Sequence, residues 1–192
     1  MTISRDLIHA DEIDAVVGAA YRALESPTGA ATWLYTQDQL EWLPEGARMW
    51  ALGVGNPVPY AELAAGESVL DLGCGAGIDV LLAARAVGPD GRSTGLDSLP
   101  EMVDRATVFA AEAGIDWVEF IEGRMEAIPL PDESVDVVIS NGTINLAARK
   151  SRVLAEALRV LRPGGRLCVA DLTIVEEDLP PEILTHPSAW AG

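Results

Sequence analysis

Positive charge is scarce in this chain of 192 residues: 13 Lys and Arg stand against 30 Asp and Glu, a formal net charge of −17 at pH 7. A surface of that sign repels phosphate backbones, which removes nucleic acid from the expected partners. Cysteine is nearly absent. Cys74 and Cys168 fall at the end or in the interior of expected strands, so no disulfide framework is expected and the compartment reads as cytoplasmic. No apolar run approaches the ~18 residues of a membrane span, and no hydrophobic segment follows a basic start. Neither a membrane nor a signal peptide is therefore expected. His9 and His186 are isolated near the two ends and read as surface residues, and no metal site is expected. What is plentiful is small and apolar: 49% hydrophobic residues, 18 Gly and 12 Pro suit a soluble α/β domain with a core of its own.

The most informative stretch is Ser68-Val69-Leu70-Asp71-Leu72-Gly73-Cys74-Gly75-Ala76-Gly77-Ile78-Asp79. Val69 to Leu72 reads as a buried strand, Gly73, Gly75 and Gly77 as a tight turn, and Ile78 to Arg85 as a helix. Strand, glycine turn and helix together bring backbone N–H groups and a helix N-terminus against a ligand. Dinucleotide-binding folds use a related pattern, so a nicotinamide cofactor stays open at this point. Two details favour a different ligand: the spacing is G-x-G-x-G, and Asp71 puts negative charge beside it, which suits a cation better than a pyrophosphate.

Along the rest of the chain, residues 1–65 read as a helical extension or lid, 66–175 as the ligand-binding unit and 176–192 as a tail. Asp11 is expected to cap a helix with Ile13, Val16, Val17, Ala20 and Leu24 on one face, ended by Ser26-Pro27-Thr28-Gly29. Packing on its own domain is the expected role of that helix. Short helices are expected at Gln37–Leu43, Glu45–Leu52 and Pro59–Ala65, with Trp33, Trp42 and Trp50 as candidate pocket walls. Strands follow at Gly91–Asp97, Trp117–Ile121, Val135–Ser140 and Arg166–Ala170. Ser98 and Glu101 have capping-box spacing for the helix after the second strand. A last helix through Val153, Leu154, Ala157, Leu158 and Leu161 ends at Arg162-Pro163-Gly164-Gly165, a type II turn. Near-continuous apolar strands alternating with helices imply a parallel, Rossmann-like sheet covered on both faces. In such a sheet the ligand lies over the carboxyl ends of the strands. Asp97, which ends the second strand, has the spacing of an acid that accepts both hydroxyls of a ribose. Met102 on the next helix is a candidate adenine contact.

Asp71-Leu72-Gly73-Cys74-Gly75-Ala76-Gly77 resembles the first motif of class I S-adenosylmethionine-dependent methyltransferases. From about Tyr35 onward the resemblance sharpens. Leu43-Pro44-Glu45-Gly46-Ala47, Leu52-Gly53-Val54-Gly55-Asn56-Pro57, Ser140-Asn141-Gly142-Thr143-Ile144-Asn145-Leu146 and Leu161-Arg162-Pro163-Gly164-Gly165-Arg166-Leu167 are together similar to the arsenite methyltransferase family. The resemblance implies S-adenosylmethionine as cofactor, with Asp71, Gly73, Cys74, Gly75, Gly77, Asp79, Asp97, Met102, Met125 and Asn141 around it. It implies that Asp79 and the backbone carbonyl of Asn141 face the amino-acid end, and that Gly123-Arg124-Met125-Glu126-Ala127 flanks the adenine. The family usually has an acid at the Arg124 position; arginine has no acceptor, which leaves backbone groups of Met125.

The chain also departs from that family. The family's arsenic-binding cysteines correspond here to Val54 and Gly142, and its N-terminal cysteine pair has no counterpart before Tyr35. The family continues past Trp190-Ala191-Gly192 into a further cysteine and more strands. The sheet is thus expected to stop at strand five, with its edge covered by the tail, the N-terminal helices or a second copy in a homodimer. Arsenite chemistry by the thiolate route is not expected. The expected function is methyl transfer to an unidentified small-molecule acceptor, with Tyr35 and Asn145 as candidate polar groups and no assigned catalytic residue. The alternative is a non-catalytic relative that binds the cofactor or a protein partner.

Overall fold

Alternation of apolar strands and helices produces a sheet in which every pairing is parallel. The computed structural model describes residues 10–22 and 31–173. Helices α1 (Ala10–Arg22), α2 (Ala31–Leu34), α3 (Gln37–Trp42) and α4 (Glu45–Met49) precede β1 (Ser68–Leu72). Then come α5 (Ile78–Val87), β2 (Arg92–Asp97), α6 (Pro100–Ala113), β3 (Val118–Glu122), β4 (Val135–Asn141), α7 (Lys150–Val160) and β5 (Leu161–Ala170). The sheet order is β3-β2-β1-β4-β5.

Strand periodicity sorts the side chains into two apolar layers. Val69, Val137 and Ile139 face α5 and a second group from the N-terminal region, Tyr35, Leu40, Leu43 and Ala47. Leu70, Leu72 and Val138 face α7 through Val153, Ala157 and Val160. The same parity matters at the carboxyl ends. Asp71 lies opposite Gly95 of β2 and Ile139 of β4. Two residues further along those strands stand Asp97 and Asn141, on the same face. Three polar side chains from three adjacent strands are thus aimed to one side by pleat alone.

Several local expectations need correction. Pro59–Ala65 is not a helix; only Val58–Tyr60 forms a single 3-10 turn. Pro57 and Pro59 lack the N–H that a helix would use, and Glu62 sits at φ 49°. Ser98 does not cap α6. Pro100 occupies its first turn, Leu99 is the extended residue before it, and the N–H of Leu99 donates to Asp97 Oδ1 at 2.9 Å. Asp11 stands within α1 (Ala10–Arg22), and its side chain lies outside what the structure describes. Leu24 and the expected break at 26–29 lie outside the described residues. The expected Pro-Gly turn is present as an excursion within β5: Gly164 has φ +84°, and the β4–β5 register shifts between Val135 and Val137.

The turn from β1 into α5 is tied down by backbone bonds. The N–H groups of Gly73 and Cys74 both donate to the Leu96 carbonyl, at 2.8 and 3.0 Å. Gly77 is the residue before α5, with φ +86°. A Cβ there would lie 3.0 Å from Ala106 Cβ and 3.1 Å from the Phe120 ring. Gly77→Ala is therefore expected to cost about 1–3 kcal/mol from left-handed strain plus crowding. Urea unfolding of the variant checks this value.

Candidate functional site

A cleft lies over the carboxyl ends of β1, β2 and β4, where the strand order reverses beside β1. It encloses about 1110 Å³ of empty space, open mouth included. Of the ten residues singled out from the sequence, nine line it: Asp71, Gly73, Cys74, Gly75, Asp79, Asp97, Met102, Met125 and Asn141. Gly77 does not; it shapes the turn from behind. The three glycines divide their work. A Cβ on Gly73 would meet Thr143 at 2.5 Å, whereas a Cβ on Gly75 would meet nothing within 4 Å. Gly75 is thus the glycine whose bare backbone faces open space.

The floor of the cleft is acidic. Asp71 is buried, and its Oδ2 has no hydrogen-bond partner among the described residues. Burial pushes its carboxyl well above the usual range, reinforced by the charges of Asp79 and Asp97. Asp79, in the first turn of α5, is also buried. Its carboxyl is pushed up to about 6 by burial, while hydrogen bonds from Asn141 and Tyr35 oppose the rise. Asp97 is raised by burial as well, against backbone bonds led by those from Leu99 and Gly75. Its Oδ2 accepts the Gly75 N–H at 2.8 Å, so one carboxylate clamps the glycine turn and the start of α6 together. The Cys74 thiol is driven up by burial and then by Asp71 and Asp97, so it stays a thiol.

Other residues in the wall were less visible in the sequence. Val17, Gly18 and Tyr21 bring α1 over the mouth, so this helix does more than pack on its own domain. Trp50, Leu52, Leu146 and Ala147 add apolar surface. Of the three candidate tryptophans only Trp50 reaches the cleft, with the Arg105 guanidinium 3.8 Å above its ring. Trp33 is 89% exposed. Tyr35 and Asn145 do not line the cleft. Tyr35 is buried beneath it and donates to Asp79, while Asn145 donates to Asp171 from its backbone N–H and its amide. Glu126 lines the cleft two residues after Arg124, which lies 3.7 Å from it, and supplies an acid that position 124 lacks. The Asn141 side chain, to which the sequence reading gave no role, is a hub of hydrogen bonds described below.

A parallel sheet of this order, with a glycine turn after β1 and acids ending β1 and β2, defines the Rossmann-like class that includes S-adenosylmethionine-dependent methyltransferases. The comparisons with known proteins agree. The family described as "Methyltransferase domain" matches residues 63–191. An arsenite methyltransferase of Halobacterium salinarum is 44% identical over 158 residues, covering 82% of this chain and 40% of that protein. The X-ray structure of an arsenic(III) S-adenosylmethionine methyltransferase from Chlamydomonas reinhardtii has a TM-score of 0.73 at 39% identity, covering 80% of this chain and 53% of that one. A SAM-dependent methyltransferase from Aquifex aeolicus superposes with a TM-score of 0.58 at 27% identity, covering 79% and 77%. The chain belongs to the methyltransferase domain family, and over four-fifths of its length it is similar to arsenite methyltransferases. It spans less than half of the Halobacterium relative.

Proposed function

We propose that the cleft holds S-adenosylmethionine and that the chain transfers its methyl group to a small-molecule acceptor. The observation that carries this reading is the unpartnered, buried Asp71 Oδ2 beside the open backbone of Gly75. A buried carboxylate oxygen without a donor calls for a cationic one, and the cofactor carries both an ammonium and a sulfonium. A nicotinamide dinucleotide would instead bring pyrophosphate charge against Asp71, Asp79 and Asp97. In this reading Asp71 and Asp79 hold the amino-acid end, Gly73 to Gly75 pass beneath the cofactor, and Asp97 accepts the ribose hydroxyls. Met102 and Met125 flank the adenine, and Glu126 is the acid within reach of that side. Cys74 and the Asn141 carbonyl complete the floor.

The sulfonium, when bound, supplies an electrophilic methyl group and leaves as an uncharged thioether. What the protein's own residues contribute is alignment and exclusion of water. Val17, Tyr21, Trp50, Leu52, Leu146 and Ala147 offer the acceptor a mostly apolar wall, and the acidic floor disfavours anions. The relatives' arsenic chemistry does not carry over by the thiolate route. A Cβ on Gly142 would lie 3.3 Å from Val54 Cγ1, so these two positions face each other, and neither offers sulfur. Both described cysteines are free thiols, which supports a cytoplasmic setting. Val169 on the outer strand is partly exposed near the exposed Trp33 and Tyr60, which supports a second copy covering the β5 edge.

The test is formation of S-adenosylhomocysteine from S-adenosylmethionine across a panel of uncharged and cationic small acceptors, with arsenite included. Turnover on at least one organic acceptor and none on arsenite is the expected result. Tight cofactor binding without turnover on any acceptor would favour the non-catalytic alternative.

A further inference from the structure

One buried hydrogen-bond network joins the acidic floor of the cleft to the backbone of the segment from Leu52 to Pro57. The Asn141 carboxamide is its centre. Asn141 Oδ1 accepts the N–H groups of Val54 and Gly55, both at 2.9 Å. Asn141 Nδ2 donates to the Gly55 carbonyl at 2.8 Å and to Asp79 Oδ2 at 2.9 Å, with the Tyr35 hydroxyl at 3.2 Å. The Tyr35 hydroxyl in turn donates to the Asp79 carboxylate, 3.0 and 3.1 Å from its two oxygens. Asn141 and Tyr35 are both nine-tenths buried, so water cannot substitute readily for these bonds.

The segment has been shaped to fit this hub. A Cβ on Gly53 would fall 2.3 Å from Asn141 Nδ2, and one on Gly55 would fall 2.7 Å from Ala170 Cβ. Only glycine lets the backbone approach both the amide and β5. Leu52 and Gly53 then form part of the cleft wall on which Asp79 also opens. Beyond the hub, the segment is tied back by Asn56 Nδ2, which donates to Gln39 Oε1 at 2.9 Å.

We propose that Tyr35 and Asn141 are positioning residues that couple occupancy of the cofactor carboxylates to the order of the Gly53–Gly55 backbone, so that the acceptor side is set once the cofactor is bound. The inference rests on the cofactor reading above. A cation held against Asp79 keeps its carboxylate ionised, and an ionised carboxylate accepts shorter, stronger bonds from Tyr35 and Asn141. That fixes the amide plane of Asn141, and the amide plane fixes Val54 and Gly55. Coupling of this kind is reciprocal: ordering the segment also favours the cofactor.

The experiment is amide hydrogen exchange of the full chain with and without S-adenosylmethionine, at a saturating concentration set by calorimetry for each variant. In the parent protein, cofactor is expected to slow exchange at Val54 and Gly55 at least tenfold. In Tyr35→Phe, which loses the hydroxyl but keeps the ring in the core, the slowing is expected to fall below threefold while cofactor still binds. In Asn141→Leu, which removes the acceptor of both N–H groups at similar side-chain size, both amides should exchange fast in either state. Calorimetric binding by the parent protein without slowing at these two amides overturns the coupling alone. So does Tyr35→Phe slowing as much as the parent. Absence of calorimetric binding overturns the cofactor reading and the coupling with it.

Discussion

Replacing Asp97 by alanine is expected to weaken S-adenosylmethionine binding by at least about a hundredfold, close to 2.7 kcal/mol. The effect has two sources, and they act in the same direction. The carboxylate already accepts one backbone N–H on each oxygen, from Leu99 and from Gly75. Each oxygen retains a second lone-pair site, and these are the acceptors offered to the ribose. Hydrogen bonds to a charged group contribute roughly 1.5–3 kcal/mol apiece, so loss of two to the ligand already reaches the expected size. Alanine also frees the Gly75 N–H, loosening the turn on which the cofactor lies. Asp97→Asn separates the two sources: its amide oxygen keeps one backbone acceptor, but its NH2 opposes the other donor. Unfolding midpoints of both variants show whether the fold is intact. Affinity within threefold of the parent in a folded Asp97→Ala protein would remove Asp97 from the site.

Lowering the pH from 7 to 5 is expected to weaken cofactor binding about tenfold while making the ligand-free protein more stable. The opposite signs follow from one carboxyl. Asp79 is pushed up to about 6 by burial, above its ordinary value of 3.8. A folded-state pKa raised above the unfolded one contributes stability that is fully present below the unfolded value. That contribution is lost as pH rises through about 6. The ligand-free fold is thus relieved when Asp79 takes up a proton. Asp71 beside it is raised for the same reason and by the charges of Asp79 and Asp97, so the two protons belong to the pair. A cationic ligand needs the ionised form, and the ionised fraction of a group near 6 falls about tenfold between pH 7 and 5. Glu67, Asp136 and Glu156 are held low by arginines and backbone N–H groups, so they stay largely ionised across this window. Asp79→Asn is expected to flatten both trends. Binding that tightens at pH 5, or ignores pH in the parent protein, would contradict the assignment of the acidic floor.

The strands and the glycine turn were legible because their signals are local. Val69 to Leu72, Val135 to Ser140 and the glycines at alternate positions state strand and turn within a few residues. Pleat parity then carries Asp71, Asp97 and Asn141 to one face without further information. What failed was what depends on partners far along the chain. Nothing near Tyr35 says that its hydroxyl meets Asp79, 44 residues on. Nothing near Asn141 says that its amide reaches back to Val54 and Gly55, although Gly53 and Gly55 in one short segment hint at a close approach. Ser98 and Glu101 carried a valid capping pattern, but Pro100 moved the helix start by a residue, and α6 begins with no side-chain cap. For α1 the sequence left a lid and simple packing both open, with packing favoured, because an amphipathic face reads the same whether it covers a core or a cleft.

Calorimetric titration of the purified protein with S-adenosylmethionine tests the central claim most directly. Saturable binding near one cofactor per chain, lost in a folded Asp97→Ala variant, is the predicted result. No heat of binding from a folded protein at millimolar cofactor and neutral pH would contradict it. The acidic cleft beneath α1 would then serve another cation.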